Sequence, residues 1–257
     1  MKRRFFTSAV VTATAWLSTS AAWAQAALFK SGKDFLTLDR PVATEAGTGK
    51  VEVIEFFWYS CPHCNAFEPT FAQWVKNVPK DVVVRRIPVS FRDDFAPQQR
   101  LFFTLEAMNL LDSLHAKVFA AVHVEKLPLN TDASVLAWAE KQPLDKTKFN
   151  EIYKSFGVAS KLKRAVQLQN DFKVEGVPSL GVAGRYYIDG TLAGSMDRAL
   201  KVAESLIAQS RTSPASAPTL VPPRQKMPPS IAGRNCAIPA KAISPMAASA
   251  ADPPENR

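Results

Sequence analysis

Two cysteines, Cys61 and Cys64, are separated by only two residues, which is a spacing suited to redox chemistry. Thiols this close can form a disulfide and exchange it with thiols of another protein. If a helix begins here, its unpaired N–H groups and partial positive charge favour a thiolate at Cys61. Cys64 would lie one turn further on and deeper in the protein. We therefore expect Cys61 to react with substrate thiols and Cys64 to resolve the mixed disulfide.

The residues between the cysteines, Pro62 and His63, influence the redox equilibrium of the pair. Pro62 suits the first turn of a helix, where its missing N–H costs nothing, and it stiffens the loop. His63 can be cationic beside the thiolate and would then stabilise it. The alternative is that His63 is a solvent-exposed linker residue. A more stable thiolate favours the dithiol, which makes the disulfide form a stronger oxidant.

Other uses of a closely spaced cysteine pair meet specific obstacles. Structural zinc requires four ligands, and the remaining candidates, His115, His123 and Cys236, are not at ligand spacing. Covalent haem requires a histidine directly after the second cysteine, and that position is Asn65. A purely structural disulfide would close a very short loop and stabilise the fold little. We therefore expect no metal and no cofactor beyond the redox-active disulfide itself.

The cysteine pair falls where a predicted strand meets a predicted helix. An apolar, β-branched and aromatic run, Lys50–Trp58, indicates a buried central strand. After Cys61, large apolar residues recur at helical spacing, and Pro69 within this pattern should kink the helix. Further strands are predicted at Phe35–Leu38, Val82–Val89, Ser179–Ala183 and Tyr186–Ile188.

Helical patterns occupy the long stretch between the second and third of those further strands. They cover Leu101–Leu110, Leu114–Val124, Asp132–Lys141, Asp145–Gly157 and Lys161–Phe172, and a last helix covers Ser195–Gln209. A β–α–β unit followed by a distant hairpin and helix forms one sheet only if the helical block is an insertion. The chain is therefore predicted to be an α/β protein with residues 97–172 inserted as an all-helical domain.

The two ends of the chain differ from its centre. Met1–Ala24 combines basic residues, an apolar run and a small-residue site, which is typical of a cleaved secretory signal. Ten of the 19 prolines lie in residues 211–257, a segment predicted to be disordered. Of the formal net charge of +9, +3 falls in the first segment and +4 in the second. The nearly neutral centre has no basic stripe, so we expect no nucleic-acid binding.

The residues around the cysteine pair resemble the DsbA family of periplasmic disulfide oxidases. The similarity rests on Ile54-Glu55-Phe56-Phe57, on Cys61-Pro62-His63-Cys64 and on Gly176-Val177-Pro178. It implies a thioredoxin fold, in which a central mixed β-sheet is flanked by helices. Residues 25–96 and 173–210 would form this thioredoxin-like domain around the helical insertion.

The resemblance also implies roles for residues outside the cysteine pair. Pro178 would be a cis-proline facing the cysteines, and Val177 would offer backbone hydrogen bonds to an extended substrate. Glu55 would be a buried proton relay for Cys64. From the residues alone, an acid within an apolar strand is costly unless it is paired, and its pKa should rise. The alternative is that Glu55 lies at a strand end and reaches water.

The function implied by the resemblance is the oxidation of unfolded exported proteins in the periplasm by a monomeric thiol:disulfide oxidoreductase. The electrons would then pass to a DsbB-like membrane oxidase linked to quinone. A disulfide isomerase or reductase would use the same fold with a different redox equilibrium. A non-enzymatic alternative is a periplasmic peptide-binding chaperone, whose function would survive loss of both cysteines.

Overall fold

The computed structural model describes residues 29–212. The predicted signal segment, the predicted disordered segment and Cys236 lie outside the described residues and stay predictions. Within the described range, five strands form one sheet. The strands are β1 (Leu36–Thr37), β2 (Val51–Phe57), β3 (Val82–Pro88), β4 (Ser179–Val182) and β5 (Tyr186–Asp189), and their order in the sheet is β1-β5-β4-β2-β3.

Strand β2 lies inside the sheet and leads directly to the cysteine pair. It runs parallel to β3 and antiparallel to β4, and the β4–β5 and β1–β5 pairs are also antiparallel. All seven residues of β2 are buried. A strand covered on both faces is expected to read as a continuous apolar run, which is why its position was evident from the sequence.

Helices cover both faces of this mixed sheet. Helix α1 (Pro62–Asn77) follows β2 and contains Pro69, whereas α7 (Gly190–Ala193) and α8 (Met196–Thr212) follow β5. The insertion between β3 and β4 begins with a short 3-10 helix and is entirely helical. Its elements are Asp93–Phe95, α2 (Ala96–Ala107), α3 (Leu111–His123), α4 (Asp132–Ala139), α5 (Lys146–Tyr153) and α6 (Phe156–Asp171). The predicted fold class is confirmed.

The prediction that Gly157 ends a helix is wrong. Helix α5 ends earlier, at Tyr153, and Gly157 is the second residue of α6. Ser155 is the N-cap of α6, and its Oγ accepts a hydrogen bond from the N–H of Val158 at 3.2 Å. A glycine near this end weakens few helical bonds, since the first N–H groups of a helix have no helical partner. The cap and not the glycine therefore sets the boundary.

Apolar side chains pack against both faces of the sheet. Phe56 faces the helical insertion, where its ring lies 5.3 Å from that of Phe172. Val53 faces the opposite way, towards Phe71 of α1. The ring of Phe172 also crosses β4 at Gly181, where an added Cβ would collide with the ring. Any side chain at position 181 would force this ring to move.

Candidate active site

Strand β2 delivers the cysteine pair to the start of α1. Cys61 is the N-cap residue of this helix, with φ −77° and ψ 118°, and Pro62 is its first helical residue. The backbone N–H of Cys61 donates to the carbonyl of Trp58 at 3.0 Å. Its Sγ accepts from the N–H of Cys64 at 3.5 Å. The sulfur of Cys61 therefore occupies the position at which a helix start stabilises negative charge.

Both cysteines are free thiols, but they differ in their access to solvent. Cys61 is 8% exposed and Cys64 is 1% exposed. Cys64 is thus the deeper of the two, as the sequence predicts, although only a small part of Cys61 reaches solvent as well. Pro62 and His63 between them are exposed. Cys61 is therefore the more accessible of the two cysteines.

The two thiols differ strongly in acidity. The pKa of Cys61 is lowered from 9.0 to about 6, chiefly by a hydrogen bond from the Cys64 thiol. Burial opposes this effect, the backbone N–H groups of Cys64 and His63 add to it, and the charge of His63 contributes least. The neighbouring thiol therefore makes the largest contribution to the lowered pKa of Cys61, whereas the sequence interpretation attributes the stabilised thiolate to the helix start and His63. Burial raises the pKa of Cys64 far above its usual range, so Cys64 stays protonated.

The loop before β4 faces Cys61. The peptide bond between Val177 and Pro178 is cis, as the resemblance implies. The Cys61 thiol donates to the carbonyl oxygen of Val177 at 3.4 Å, although these residues are 116 positions apart. Val177, which is predicted to bind substrate, therefore contacts the Cys61 thiol through its carbonyl group, directly before the cis-proline Pro178.

An aromatic cluster precedes and borders the cysteine pair. Trp58 stacks on Phe95 with ring centroids 3.9 Å apart. Phe91 packs edge-on against Phe95 and remains 41% exposed. The sequence patterns do not single out these residues, because Phe91 and Phe95 come from the connection that follows β3. Phe95 is buried in this cluster, whereas the ring of Phe91 remains partly open to solvent.

Glu55 is buried in β2 and paired with Arg86 of β3. Arg86 Nε donates to Oε2 of Glu55 at 3.1 Å, and Arg86 Nη2 donates to Oε1 of Glu68 at 2.8 Å. Burial raises the pKa of Glu55 to about 8, with Arg86 opposing this and the charge of Glu68 adding to it. The predicted direction of the shift is confirmed. Glu55 is 1% exposed, which excludes the alternative that it reaches water.

His115 and Tyr59 extend this buried cluster, although the sequence interpretation considered His115 only as a zinc ligand. Nδ1 of His115 lies 2.7 Å from the Tyr59 hydroxyl, and Nε2 lies 3.5 Å from Oε2 of Glu68. Glu68 and Arg86 were also missed. Their signal in the sequence is a charge at a position that the surrounding apolar pattern predicts to be buried, since such charges are almost always paired.

The helical insertion also holds the residues that immediately precede Cys61. Nε2 of His123 lies 2.8 Å from the backbone carbonyl oxygen of Tyr59. Nε2 of Gln98 donates to Oγ of Ser60 at 2.6 Å and to the carbonyl of Pro128 at 2.7 Å. The segment between β2 and Cys61 is thus fixed from α2 and α3, and not by the sheet alone.

Among residues 29–212, no three His, Cys, Asp or Glu side chains are grouped so that they could hold a metal ion. In the same range, no helix combines the length and apolar character needed to cross a membrane.

The family model, the similar sequences and the similar structures all point to DsbA proteins. Residues 52–200 match the family model described as a DSBA-like thioredoxin domain. The thiol:disulfide interchange protein DsbA of Bordetella parapertussis is 38% identical over 200 residues, which cover 77% of this chain and 95% of that protein. The DsbA of Burkholderia cepacia is 37% identical over 193 residues, covering 75% and 91%. The crystal structure of Pseudomonas aeruginosa DsbA superimposes with a TM-score of 0.68 at 37% identity, covering 71% of this chain and 95% of that one.

Proposed function

Because the chain belongs to the DSBA-like thioredoxin domain family, we infer that it is a thiol:disulfide oxidoreductase that introduces disulfide bonds into other proteins. The observation that carries this inference is the asymmetry of the pair. Cys61 is accessible and acidic, whereas Cys64 is buried and protonated. A stable Cys61 thiolate favours the reduced pair, so the disulfide form readily accepts electrons from other thiols.

The first step starts from the disulfide between Cys61 and Cys64. A substrate thiolate attacks Sγ of Cys61, so that a substrate–Cys61 disulfide forms and the Cys61–Cys64 bond breaks. The electron pair of the broken bond goes to the Cys64 sulfur. This sulfur takes up a proton, because its surroundings do not tolerate a thiolate. Glu55 is our candidate donor, since its raised pKa keeps it protonated at neutral pH.

The second step releases the oxidised substrate. A second substrate thiolate attacks the substrate sulfur of the mixed disulfide, and Cys61 leaves as a thiolate. The substrate has lost two electrons, which now reside in the Cys61–Cys64 dithiol. In this proposal the backbone of an extended substrate pairs with Val177, next to Pro178, while Pro62 and His63 stabilise the helix start that receives the thiolate.

We assign this activity to unfolded exported proteins in the periplasm. The dithiol would be reoxidised by a DsbB-like membrane enzyme that passes the two electrons to quinone, and Glu55 would recover its proton. The support is the family to which the chain belongs and the export pattern of Met1–Ala24. In this proposal the protein is a monomer, and the cysteine pair is its only redox group.

The lowered pKa of Cys61 argues against the two alternative functions. A reductase or isomerase requires a dithiol that gives up electrons easily, and a strongly stabilised thiolate opposes this. A peptide-binding chaperone has no need of an acidic thiol at all.

Equilibration with glutathione buffers tests the proposed direction of the reaction. We expect a reduction potential well above the roughly −270 mV typical of thioredoxin. A value near that of thioredoxin would refute the oxidase proposal and favour a reductase. Replacing both Cys61 and Cys64 with serine should abolish oxidation of a dithiol peptide. Full protection of an aggregating protein by that double variant would favour the chaperone alternative.

A further inference from the structure

A continuous set of polar side chains, all buried except the partly exposed Arg86, connects the helical insertion to Glu55. It runs from the Tyr59 hydroxyl to His115 in α3, then to Glu68 in α1, to Arg86 in β3 and finally to Glu55 in β2. The set contains two carboxyl groups and one guanidinium. It is neutral only when one carboxyl is protonated, and an uncompensated buried charge is costly. The position of this single proton decides whether Glu55 can supply it to Cys64.

The hydrogen bond from Tyr59 determines which nitrogen of His115 carries its proton. Burial lowers the pKa of His115, so the imidazole is neutral and has one N–H. Burial also raises the pKa of Tyr59 well above its usual value, so the hydroxyl keeps its proton and can donate it to Nδ1 at 2.7 Å. The imidazole proton then resides on Nε2 and faces Glu68.

The contact between His115 and Glu68 joins two otherwise unpartnered atoms. Within residues 29–212, neither Nε2 of His115 nor Oε2 of Glu68 has another hydrogen-bond partner. The two atoms lie 3.5 Å apart, which is longer than an ordinary hydrogen bond, so their interaction here is an electrostatic contact. Oε1 of Glu68 already accepts from Arg86. His115 therefore gives Glu68 a donor towards its second oxygen.

We propose that His115 is a positioning residue that keeps the proton of this buried cluster on Glu55 and off Glu68. Glu68 has donors towards both of its oxygens, Arg86 and His115, whereas Glu55 has only Arg86, and this difference favours the proton on Glu55. The groups that act on Glu55 are Arg86 and Glu68, and its charge in turn acts on Cys64 and Tyr59. This inference rests on the proposed role of Glu55 as proton donor, and it extends the active site into the helical insertion.

Four substitutions separate this role from simple packing. His115→Leu removes both contacts of the imidazole, whereas His115→Gln can retain one acceptor and one donor. Tyr59→Phe keeps the buried ring and removes only the hydroxyl that places the His115 proton. The matched control is His123→Gln, because His123 lies on the same helix and contacts only the backbone of Tyr59 in this cluster.

NMR of isotope-labelled glutamate carboxyl carbons reads the proton position directly in the reduced, full-length protein. Glu55 and Glu68 signals are assigned by substituting each with glutamine. With a pKa of about 8, Glu55 should be protonated in about nine molecules of ten at pH 7. In His115→Leu and Tyr59→Phe we expect the protonated fraction of Glu55 to fall to about one half. His115→Gln should restore the original distribution, and His123→Gln should keep it.

These NMR outcomes test the role of His115 independently of the proposed oxidase function. Unchanged Glu55 and Glu68 signals in folded His115→Leu and Tyr59→Phe would overturn it. An equal change in His123→Gln would also overturn it, because any disturbance of α3 would then suffice. If His115→Leu does not fold, Tyr59→Phe decides alone. In His115→Leu and Tyr59→Phe the rate of dithiol oxidation, divided by the concentration of substrate thiolate, should fall about twofold. This is the same factor by which the protonated fraction of Glu55 falls. A wild-type protein without oxidase activity would refute the proposed function and leave the NMR result valid.

Discussion

Replacing Cys64 tests the source of the acidity of Cys61. The largest stabilising contact of the Cys61 thiolate is the hydrogen bond from the Cys64 thiol, and Cys64→Ala removes it. A hydrogen bond to a charged group contributes about 1.5 to 3 kcal/mol. One pKa unit corresponds to about 1.4 kcal/mol, so the loss amounts to about one to two units. We therefore expect the pKa of Cys61 to rise from about 6 to between about 7 and 8 in Cys64→Ala.

Two further variants serve as controls. Cys64→Ser keeps a hydroxyl donor at the same position, so the pKa of Cys61 should remain nearer to its original value. His63→Ala removes the smallest of the favourable contributions and should raise the pKa less than Cys64→Ala does. All variants also carry Cys236→Ser, so that the third cysteine of the chain does not react with the reagent.

The pH dependence of alkylation by iodoacetamide measures the pKa, because only the thiolate reacts. If Cys64→Ala kept a pKa of about 6 while His63→Ala raised it, the charge of His63 and not the neighbouring thiol would dominate. That result would refute the reasoning from the structure.

The structure leads to three other predictions. Cys61→Ser should abolish exchange, and Cys64→Ser should accumulate mixed disulfides on Cys61; non-reducing gels that showed adducts on Cys64 in Cys61→Ser would reverse the two roles. Because the folded pKa of Cys61 lies below the ordinary 9.0, the thiolate stabilises the reduced protein at high pH, and this contribution disappears as pH falls through about 6. Urea unfolding at different pH values measures this effect. In the reduced protein the Cys61 thiolate should add about 1.4 kcal/mol to the free energy of unfolding at pH 7, and the disulfide form should lack this pH-dependent addition. Gly181→Ala should lower the free energy of unfolding by about 1 to 3 kcal/mol, because its methyl group meets the Phe172 ring. Gly176→Ala is the matched control, since its added Cβ meets nothing within 4 Å, and an equal loss there would contradict the explanation.

Local patterns in the sequence were sufficient to locate the redox pair. The apolar run before Cys61 and the helical spacing after it predict a strand and a helix that meet at the cysteines, and the structure has β2 and α1 there. These signals are local because burial of a strand and amphipathicity of a helix are both visible within a few residues. The raised pKa of Glu55 could be anticipated for the same reason, since a carboxyl group in an apolar strand is desolvated wherever the rest of the chain lies.

The partners of the buried groups depended on the tertiary structure. Glu55 meets Arg86 because β2 and β3 are parallel neighbours in the register that places these two residues side by side. Tyr59 meets His115, 56 positions away, because the helical insertion folds back over the segment before Cys61. Local periodicity carries no information about such pairings, since it records which face of an element is buried and not what covers that face. The sequence alone therefore determined where the thiols and the buried acid lie, whereas the pairing of β2 with β3 and the packing of the insertion against β2 and α1 decided which groups surround that acid.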